Sequence, residues 1–90
     1  HYYPTANVKQ SVVSNGCVIK GTIENSIIGR GCVIEEGTII KNSIVLPDSR
    51  IEARIHVENY VVGKHSKLVH CKELTADVET PGYVKRGDTL

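Results

Sequence analysis

Four similar four-residue segments recur along the chain, and the last three begin 17 residues apart. They are Gln10-Ser11-Val12-Val13, Asn25-Ser26-Ile27-Ile28, Asn42-Ser43-Ile44-Val45 and Asn59-Tyr60-Val61-Val62. Small residues follow in a shared column at Cys17, Cys32, Ser49 and Ser66, and aliphatic residues follow two positions later at Ile19, Ile34, Ile51 and Leu68. Self-similarity at a fixed period indicates a solenoid, in which each repeat packs on its neighbours.

A shorter period within each repeat indicates which solenoid this is. Aliphatic residues recur in steps of 6, 6 and 5 at Ile28, Ile34, Ile40, Val45, Ile51, Val57, Val62, Leu68 and Leu74. Such steps are too long for one helical face and for one alternating strand, but they fit a short strand plus a turn, three to a coil. A second inward position, four residues past an aliphatic, is predicted at Cys17, Cys32, Thr38, Ser49, Ile55, Val61 and Ser66. The pattern predicts a hexapeptide-type parallel β-helix of about four coils of about 17 residues.

The composition independently favours an all-β fold. The chain contains 10 Ile and 12 Val, against 4 Leu and no Phe, Trp or Met. Branched side chains at this frequency suit stacked, pleated strands.

The charge pattern gives no sign of a nucleic-acid or membrane partner. The net charge is +1, and charges of both signs are interspersed. Neither a basic face nor an apolar run of about 20 residues is present. We therefore expect no nucleic acid and no membrane among the partners.

The three cysteines predict small buried thiols rather than a disulfide framework. Cys17 and Cys32 are expected to stack on successive coils about 4.8 Å apart. A disulfide between them is geometrically conceivable. Buried free thiols in a cytoplasmic protein are the preferred interpretation.

The period divides the chain into three segments. Residues 1–9 are predicted to be the end of a linker, residues 10–75 the β-helix coils, and residues 76–90 a C-terminal capping tail with turns at Pro81-Gly82 and Gly87-Asp88. A cap hides the last strand edges of a solenoid. Because the chain begins at His1 and contains no methionine, we expect an excised domain of a longer protein.

Asparagine recurs at one predicted corner, at Asn25, Asn42 and Asn59. Asparagine tolerates the left-handed backbone conformation and hydrogen-bonds its own turn. A stacked asparagine ladder is the expected structure.

Histidine is the residue type that raises an enzyme alternative. His65 and His70 have the spacing of a zinc-binding pair in γ-carbonic-anhydrase-like β-helices, and His56 lies upstream. Hexapeptide acyltransferases also use a histidine as general base. Because no carboxylate pattern and no long loop insertion accompany these histidines, we expect surface positions, with no catalytic, metal-binding or cofactor-binding residue.

Strand alternation predicts an outward apolar stripe. If Val13, Ile28, Val45 and Val62 point inward, then Val12, Ile27, Ile44 and Val61 point outward and align vertically. Val18 and Val33 add apolar side chains on the early coils, where the same column later holds Arg50 and Lys67. A contiguous exposed apolar patch marks an interaction surface, and the alternative is strand propensity alone.

The segment from Asn7 to Val45 closely resembles the C-terminal β-helix of bacterial glucose-1-phosphate adenylyltransferase, also called ADP-glucose pyrophosphorylase. The resemblance rests on the paired Asn-Ser-aliphatic elements around Asn15-Gly16-Cys17 and on the closing segment Pro81-Gly82-Tyr83-Val84-Lys85-Arg86-Gly87. The Glu35-Glu36-Gly37 turn is more similar to the GlgD-type companion subunit.

The resemblance implies a single-stranded left-handed parallel β-helix, against the usual right-handed crossover preference. It also implies an upstream nucleotidyltransferase domain that joins ATP and glucose 1-phosphate into ADP-glucose and pyrophosphate for glycogen synthesis. The catalytic residues of the family lie in that domain. The implied role of this chain is structural and regulatory, in a homo- or hetero-oligomer, expected to be a tetramer, with a sugar-phosphate effector site at the domain junction.

Overall fold

The computed structural model describes residues 1–90 and contains 14 short strands and no helix. The strands are β1 (Asn7–Lys9), β2 (Val12–Val13), β3 (Val18–Ile19), β4 (Thr22–Glu24), β5 (Ile27–Ile28), β6 (Val33–Ile34), β7 (Ile39–Lys41), β8 (Ile44–Val45), β9 (Arg50–Ile51), β10 (His56–Glu58), β11 (Tyr60–Val62), β12 (Lys67–Leu68), β13 (Glu73–Thr75) and β14 (Gly82–Val84).

Every third strand joins the same sheet, so the chain winds around three parallel sheets. The first sheet has the order β1-β4-β7-β10-β13, the second β2-β5-β8-β11-β14, and the third β3-β6-β9-β12. All pairings between these strands are parallel. The predicted all-β parallel β-helix with coils of about 17 residues is confirmed, and its left-handed winding stays a prediction from the resemblance.

The first turn of the helix is two residues shorter than the others. In the first sheet, Val8 pairs with Ile23 across 15 residues, whereas Ile23 pairs with Ile40, and Ile40 with Val57, across 17. The shortening lies between β3 and β4. Ile19 and Ile23 are four residues apart, whereas their partners in the next coil, Ile34 and Ile40, are six apart.

The inward aliphatic columns form a continuous core. The predicted series is fully buried from Ile28 through Leu68, and Leu74 packs against it at the end of the stack. Ile34 pairs with Ile51 in the third sheet, which confirms the predicted register. Among the predicted small inward positions, all are buried except Val61.

The inward assignment of Val61 was wrong. Val61 pairs with Ile44, and the next residue, Val62, is the fully buried one. Because successive side chains of a strand point to opposite faces, Val61 faces outward, as the stripe predicted. At the corner between the first and second sheets, the small inward residues are instead Ser26 and Ser43, both buried.

Buried hydroxyl and thiol groups link successive coils. The amide of Ser43 donates to Ser26 Oγ at 3.0 Å, and Ser26 Oγ donates to the Glu24 carbonyl at 2.8 Å. Thr38 Oγ1 accepts from the Ile55 amide at 3.2 Å and donates to the Glu52 carbonyl at 2.6 Å. These groups satisfy backbone atoms that short strands leave unpaired at the corners, where an apolar side chain would leave them without partners.

The predicted asparagine corner is present. Asn25, Asn42 and Asn59 have φ values of 48°, 48° and 58°, in the left-handed region that asparagine tolerates. The Asn25 side-chain amide donates to Asn42 Oδ1 at 2.7 Å. The ladder is shorter than expected, because the Asn59 amide donates instead to the Ala76 carbonyl at 2.7 Å.

Strands also lie in the segments predicted as linker end and capping tail. β1 precedes residue 10 and pairs with β4, and β14 follows residue 76 and pairs with β11. Thr89 forms a parallel bridge to Lys67. The tail therefore follows the same path as the coils and covers the edge strand of the second sheet.

We expect Ile34→Ala to lower the free energy of unfolding by about 2–5 kcal/mol, because it opens a cavity in a narrow core. Ile27→Ala is the matched control, since the Ile27 side chain is half exposed and surface truncations change stability by about 0.5 kcal/mol or less. Equilibrium denaturation measures both. A loss below about 1 kcal/mol for Ile34→Ala would contradict the core assignment.

Candidate functional site

The predicted outward stripe exists as a vertical column on the second sheet. Val12 pairs with Ile27, Ile27 with Ile44, and Ile44 with Val61. Val12, Ile27 and Ile44 are 62%, 50% and 39% exposed, and Val61 is partly exposed. The structure therefore brings together all four residues that the sequence predicted.

The column continues onto a residue that the sequence analysis missed. Tyr83 pairs with Val61 and is 60% exposed. It was missed because the tail breaks the 17-residue period, so no spacing placed β14 beneath β11. We call the surface formed by Val12, Ile27, Ile44, Val61 and Tyr83, with the columns on either side of it, the apolar face.

The apolar face carries no ionisable side chain over its first four coils. The columns that flank the stripe are Gln10, Asn25, Asn42 and Asn59 on one side and Ser14, Gly29, Leu46 and Gly63 on the other. The outward columns of the other two sheets hold charges instead, including Glu24, Lys41, Glu58, Lys20, Glu35 and Arg50. Charge is thus excluded from one side of the prism alone.

Two shallow depressions follow the asparagine edge of the apolar face. The upper one, of about 290 Å³, is lined by Gln10, Val12, Asn25, Ser26, Ile27, Asn42, Ser43 and Ile44. The lower one, of about 180 Å³, is lined by Asn42, Ile44, Asn59, Tyr60, Val61, Val78 and Pro81. Both share Asn42 and Ile44, so they form one groove along the stripe.

A short loop at residues 76–81 forms the lower wall of this groove. Asn59 holds both of its ends, since the Asn59 amide side chain donates to the Ala76 carbonyl and the Gly82 amide donates to the Asn59 carbonyl at 3.0 Å. The Tyr60 ring lies where a side chain at Gly82 would project. Asn59 Oδ1 is buried without a hydrogen-bond partner. The loop is fixed at its base, and its tip, Val78, is exposed.

The third sheet confirms the predicted change from apolar to basic residues. Val18 pairs with Val33, Val33 with Arg50, and Arg50 with Lys67. Arg50 donates to Glu35 Oε2 at 2.7 Å and also to Glu52. The hydrogen bond with Glu52 raises the pKa of Arg50. Arg50 is thus already paired with carboxylates of the same chain. The column of Val18, Val33, Arg50 and Lys67 therefore exposes less apolar surface than the stripe does.

The histidines lie in separate environments. His65 occupies a corner with φ of 59° and is exposed. His70 is exposed and its amide donates to the Leu90 carbonyl, whereas His56 Nε2 lies 3.0 Å from Glu58 Oε1 and Nδ1 lies 3.7 Å from Glu73 Oε2. No group of three or more His, Cys, Asp or Glu side chains is arranged to hold a metal ion.

The cysteines are free thiols. Cys17 and Cys32 are buried, and their Sγ atoms donate to the carbonyls of Gly29 at 3.1 Å and Leu46 at 3.3 Å on the next coil. Burial raises the pKa of Cys32 to about 11 and also raises the pKa of the half-buried Cys71. Cys17 and Cys32 therefore serve as small hydrogen-bonding core residues, whose burial disfavours the reactive thiolate.

No helix of this chain is long and apolar enough to span a bilayer.

We expect the thiol of Cys71 to react first with iodoacetamide at pH 8, while Cys32 stays unmodified until the chain unfolds. The pKa of Cys32 is about 9 in the unfolded state and about 11 in the folded state. The contribution of this thiol to the free energy of unfolding is therefore fully present below pH 9 and is lost as the pH rises through about 11. Mass spectrometry after timed alkylation, with and without denaturant, measures the order. Equal rates for Cys32 and Cys71 in the folded protein would contradict it.

Comparison with known proteins places the chain among hexapeptide-repeat proteins. A family model described as GlmU-like, C-terminal hexapeptide matches residues 3–81. Glucose-1-phosphate adenylyltransferases of Bacillus thuringiensis (strain Al Hakam), Bacillus cereus (strain Q1) and Bacillus anthracis are each 34% identical over 58 residues.

These alignments cover 64% of this chain and 15% of each relative, so the chain spans a small part of the curated relatives that it matches. No solved structure matches the chain.

Proposed function

The chain belongs to the GlmU-like C-terminal hexapeptide family, and we propose that it is the structural and regulatory β-helix module of a glucose-1-phosphate adenylyltransferase-like protein. The observation that carries the proposal is the apolar face, whose first four coils have no ionisable side chain, whereas the outward columns of the other two sheets hold charges. Such a surface suits docking rather than catalysis. The similarity to glucose-1-phosphate adenylyltransferases supports the identity of the parent protein.

In this proposal the chemistry belongs to an upstream nucleotidyltransferase domain. That domain joins ATP and glucose 1-phosphate into ADP-glucose and pyrophosphate in the cytoplasm, for glycogen synthesis. This chain contributes no catalytic, metal-binding or cofactor-binding residue.

The apolar face is the proposed docking surface for the upstream domain or a neighbouring subunit of a homo- or hetero-oligomer, in the parent protein a tetramer. At about 25 cal/mol per Å² and about 60–100 Å² for each of four aliphatic side chains, its burial contributes roughly 6–10 kcal/mol before association costs. Those costs offset much of the gain. The proposed regulatory role is to help form an effector site at the junction with the upstream domain. No residue of this chain is assigned to that effector site.

The alternative of a small hexapeptide enzyme requires a base and an orienting group beside a ligand cleft. The histidine with carboxylate partners, His56, lies on the charged first sheet, outside the groove on the apolar face. The observed arrangement favours the docking module.

The gene sequence upstream of the His1 codon tests the proposed parent protein. We expect it to encode a nucleotidyltransferase domain in the same reading frame, and the whole protein to make ADP-glucose alone or with a companion subunit. An upstream domain of another class would overturn the proposed parent.

We expect the 90-residue protein alone to bind no metal stoichiometrically. It should turn over neither ATP with glucose 1-phosphate nor acetyl-coenzyme A with an acceptor, because no nucleophile, base and orienting group converge. Metal analysis and coupled assays of the purified protein measure this. About one zinc per chain, lost in His65→Ala and retained in His70→Ala or His56→Ala, would instead identify His65 as a ligand.

We expect the 90-residue protein to self-associate through the apolar face, and Ile27→Glu with Ile44→Glu to make it monomeric without unfolding it. Outward positions do not support the core, so circular dichroism should be unchanged. Ile39→Glu is the matched control, because Ile39 is 37% exposed on the first sheet. Analytical sedimentation measures the mass distribution. If this distribution is unchanged in the double variant, the stripe reflects strand propensity and is not an interface.

A further inference from the structure

We propose that Asn15 is a site of spontaneous covalent modification, at which the side-chain amide is lost and aspartate or isoaspartate is formed without an enzyme. The inference goes beyond the proposed function and does not depend on it. Three features carry it: the glycine that follows Asn15, the free backbone amide of that glycine, and the weak attachment of the turn that contains both residues.

The reaction begins when the backbone nitrogen of the next residue attacks the side-chain carbonyl carbon of asparagine. Here a bond forms between the Gly16 nitrogen and Cγ of Asn15, the bond between Cγ and Nδ2 breaks, and Nδ2 leaves as ammonia with the proton of the Gly16 amide. Water then opens the resulting succinimide ring. Opening at Cγ gives aspartate, whereas opening at the main-chain carbonyl gives isoaspartate. Either product consumes one water and releases one ammonia.

The glycine leaves the attacking nitrogen uncrowded. Gly16 is exposed in a turn, with a φ of 76°, in the region that favours glycine. A Cβ at Gly16 would meet no atom closer than 3.8 Å, so the space around this residue is open. Asn15 is exposed as well, and water therefore reaches both reacting groups.

The amide of Gly16 donates no hydrogen bond within the chain, which distinguishes Asn15 from the other asparagines. Asn25, Asn42 and Asn59 are each followed by an amide that donates to a serine hydroxyl of the preceding coil, at 3.0, 3.0 and 3.1 Å. Such an amide attacks only after it has lost that bond. The remaining asparagine, Asn7, is followed by Val8, whose branched side chain crowds the nitrogen.

The turn that contains Asn15 is weakly attached to the rest of the stack. It lies in the first coil, directly after β2, which is an edge strand of the second sheet. The two residues of the turn take part in one backbone hydrogen bond, from the Gly31 amide to the Asn15 carbonyl at 3.1 Å. Segments with few hydrogen bonds open locally at a low cost in free energy. Such opening lets the Asn15 side chain turn toward the Gly16 nitrogen.

The modification changes both the charge and the backbone of the first coil. A carboxylate replaces a neutral amide, so the net charge of the chain falls from +1 to 0 at pH 7. Isoaspartate also adds one carbon to the main chain between β2 and β3, and the Asn15 carbonyl that accepts from Gly31 becomes a free carboxylate. We expect the isoaspartate form to hold its first coil on the second less tightly.

The first experiment incubates the folded 90-residue protein and measures each asparagine by peptide mapping with mass spectrometry. Isoaspartate is counted by methyl transfer from S-adenosylmethionine with a purified isoaspartyl methyltransferase. Asn15 should react at least about tenfold faster than each other asparagine, which corresponds to about 1.4 kcal/mol in barrier height. The rate should rise with pH, because the attacking nitrogen must lose its proton. Asn15→Gln should abolish the methyl acceptance, since glutamine closes the corresponding ring far more slowly.

The second experiment moves the same dipeptide to the next coil. Arg30→Asn creates an asparagine before Gly31 in the equivalent turn, where the Gly31 amide is hydrogen-bonded to the Asn15 carbonyl and Asp48 Oδ1 occupies the space at the glycine. In the folded protein the introduced asparagine should react at least about fivefold more slowly than Asn15, because its attacking amide is bonded. In denaturant the two should react at similar rates, since both precede glycine.

Three results would overturn the site. Asn25 or Asn42 could react as fast as Asn15 in the folded protein, or Asn15 could stay intact under conditions that modify it in denaturant. Equal rates at position 30 and at Asn15 in the folded Arg30→Asn variant would show that the free amide of Gly16 does not select the site. None of these results bears on the upstream nucleotidyltransferase domain, which the gene sequence tests.

Discussion

Register between successive coils is the constraint on which the rest of this structure depends. Each strand is two or three residues long, too short to fix its own pairing. Register is fixed by the aliphatic columns and by the buried hydroxyl and thiol groups, such as Ser26, Thr38 and Cys32, that bond to the next coil. A slip of one residue would turn the core outward and leave these groups unsatisfied.

The same register sorts the outer surface into columns. Once inward positions are fixed, every outward side chain stands above its equivalent in the next coil, about 4.8 Å away. On the first and third sheets the columns bring opposite charges together, as in the pairs of Lys41 with Glu24 and Lys20 with Glu35. On the second sheet the columns contain aliphatic residues and amides. The apolar face is thus a direct product of the repeat.

The repeat explains which parts of the structure can be predicted from the sequence. The three sheets, the buried series from Ile28 and the outward stripe all follow from spacing, because spacing alone determines inward and outward positions in stacked coils. Val61 was assigned to both faces because it lies four residues after Val57 and also beside Val62. Strand alternation decided between them, since Val62 continues the core column.

What spacing could not reveal lies where the repeat ends. The last coil contains an additional loop at residues 76–81, so Tyr83 has no periodic position and yet completes the stripe. That coil also places Lys85 in a flanking column that is neutral in the earlier coils, at Ser14, Gly29, Leu46 and Gly63. A repeated face with neutral edges is compatible with many partners and orientations. The coil that departs from the repeat adds side chains that the period does not predict, and we expect the specificity of the face to depend on them.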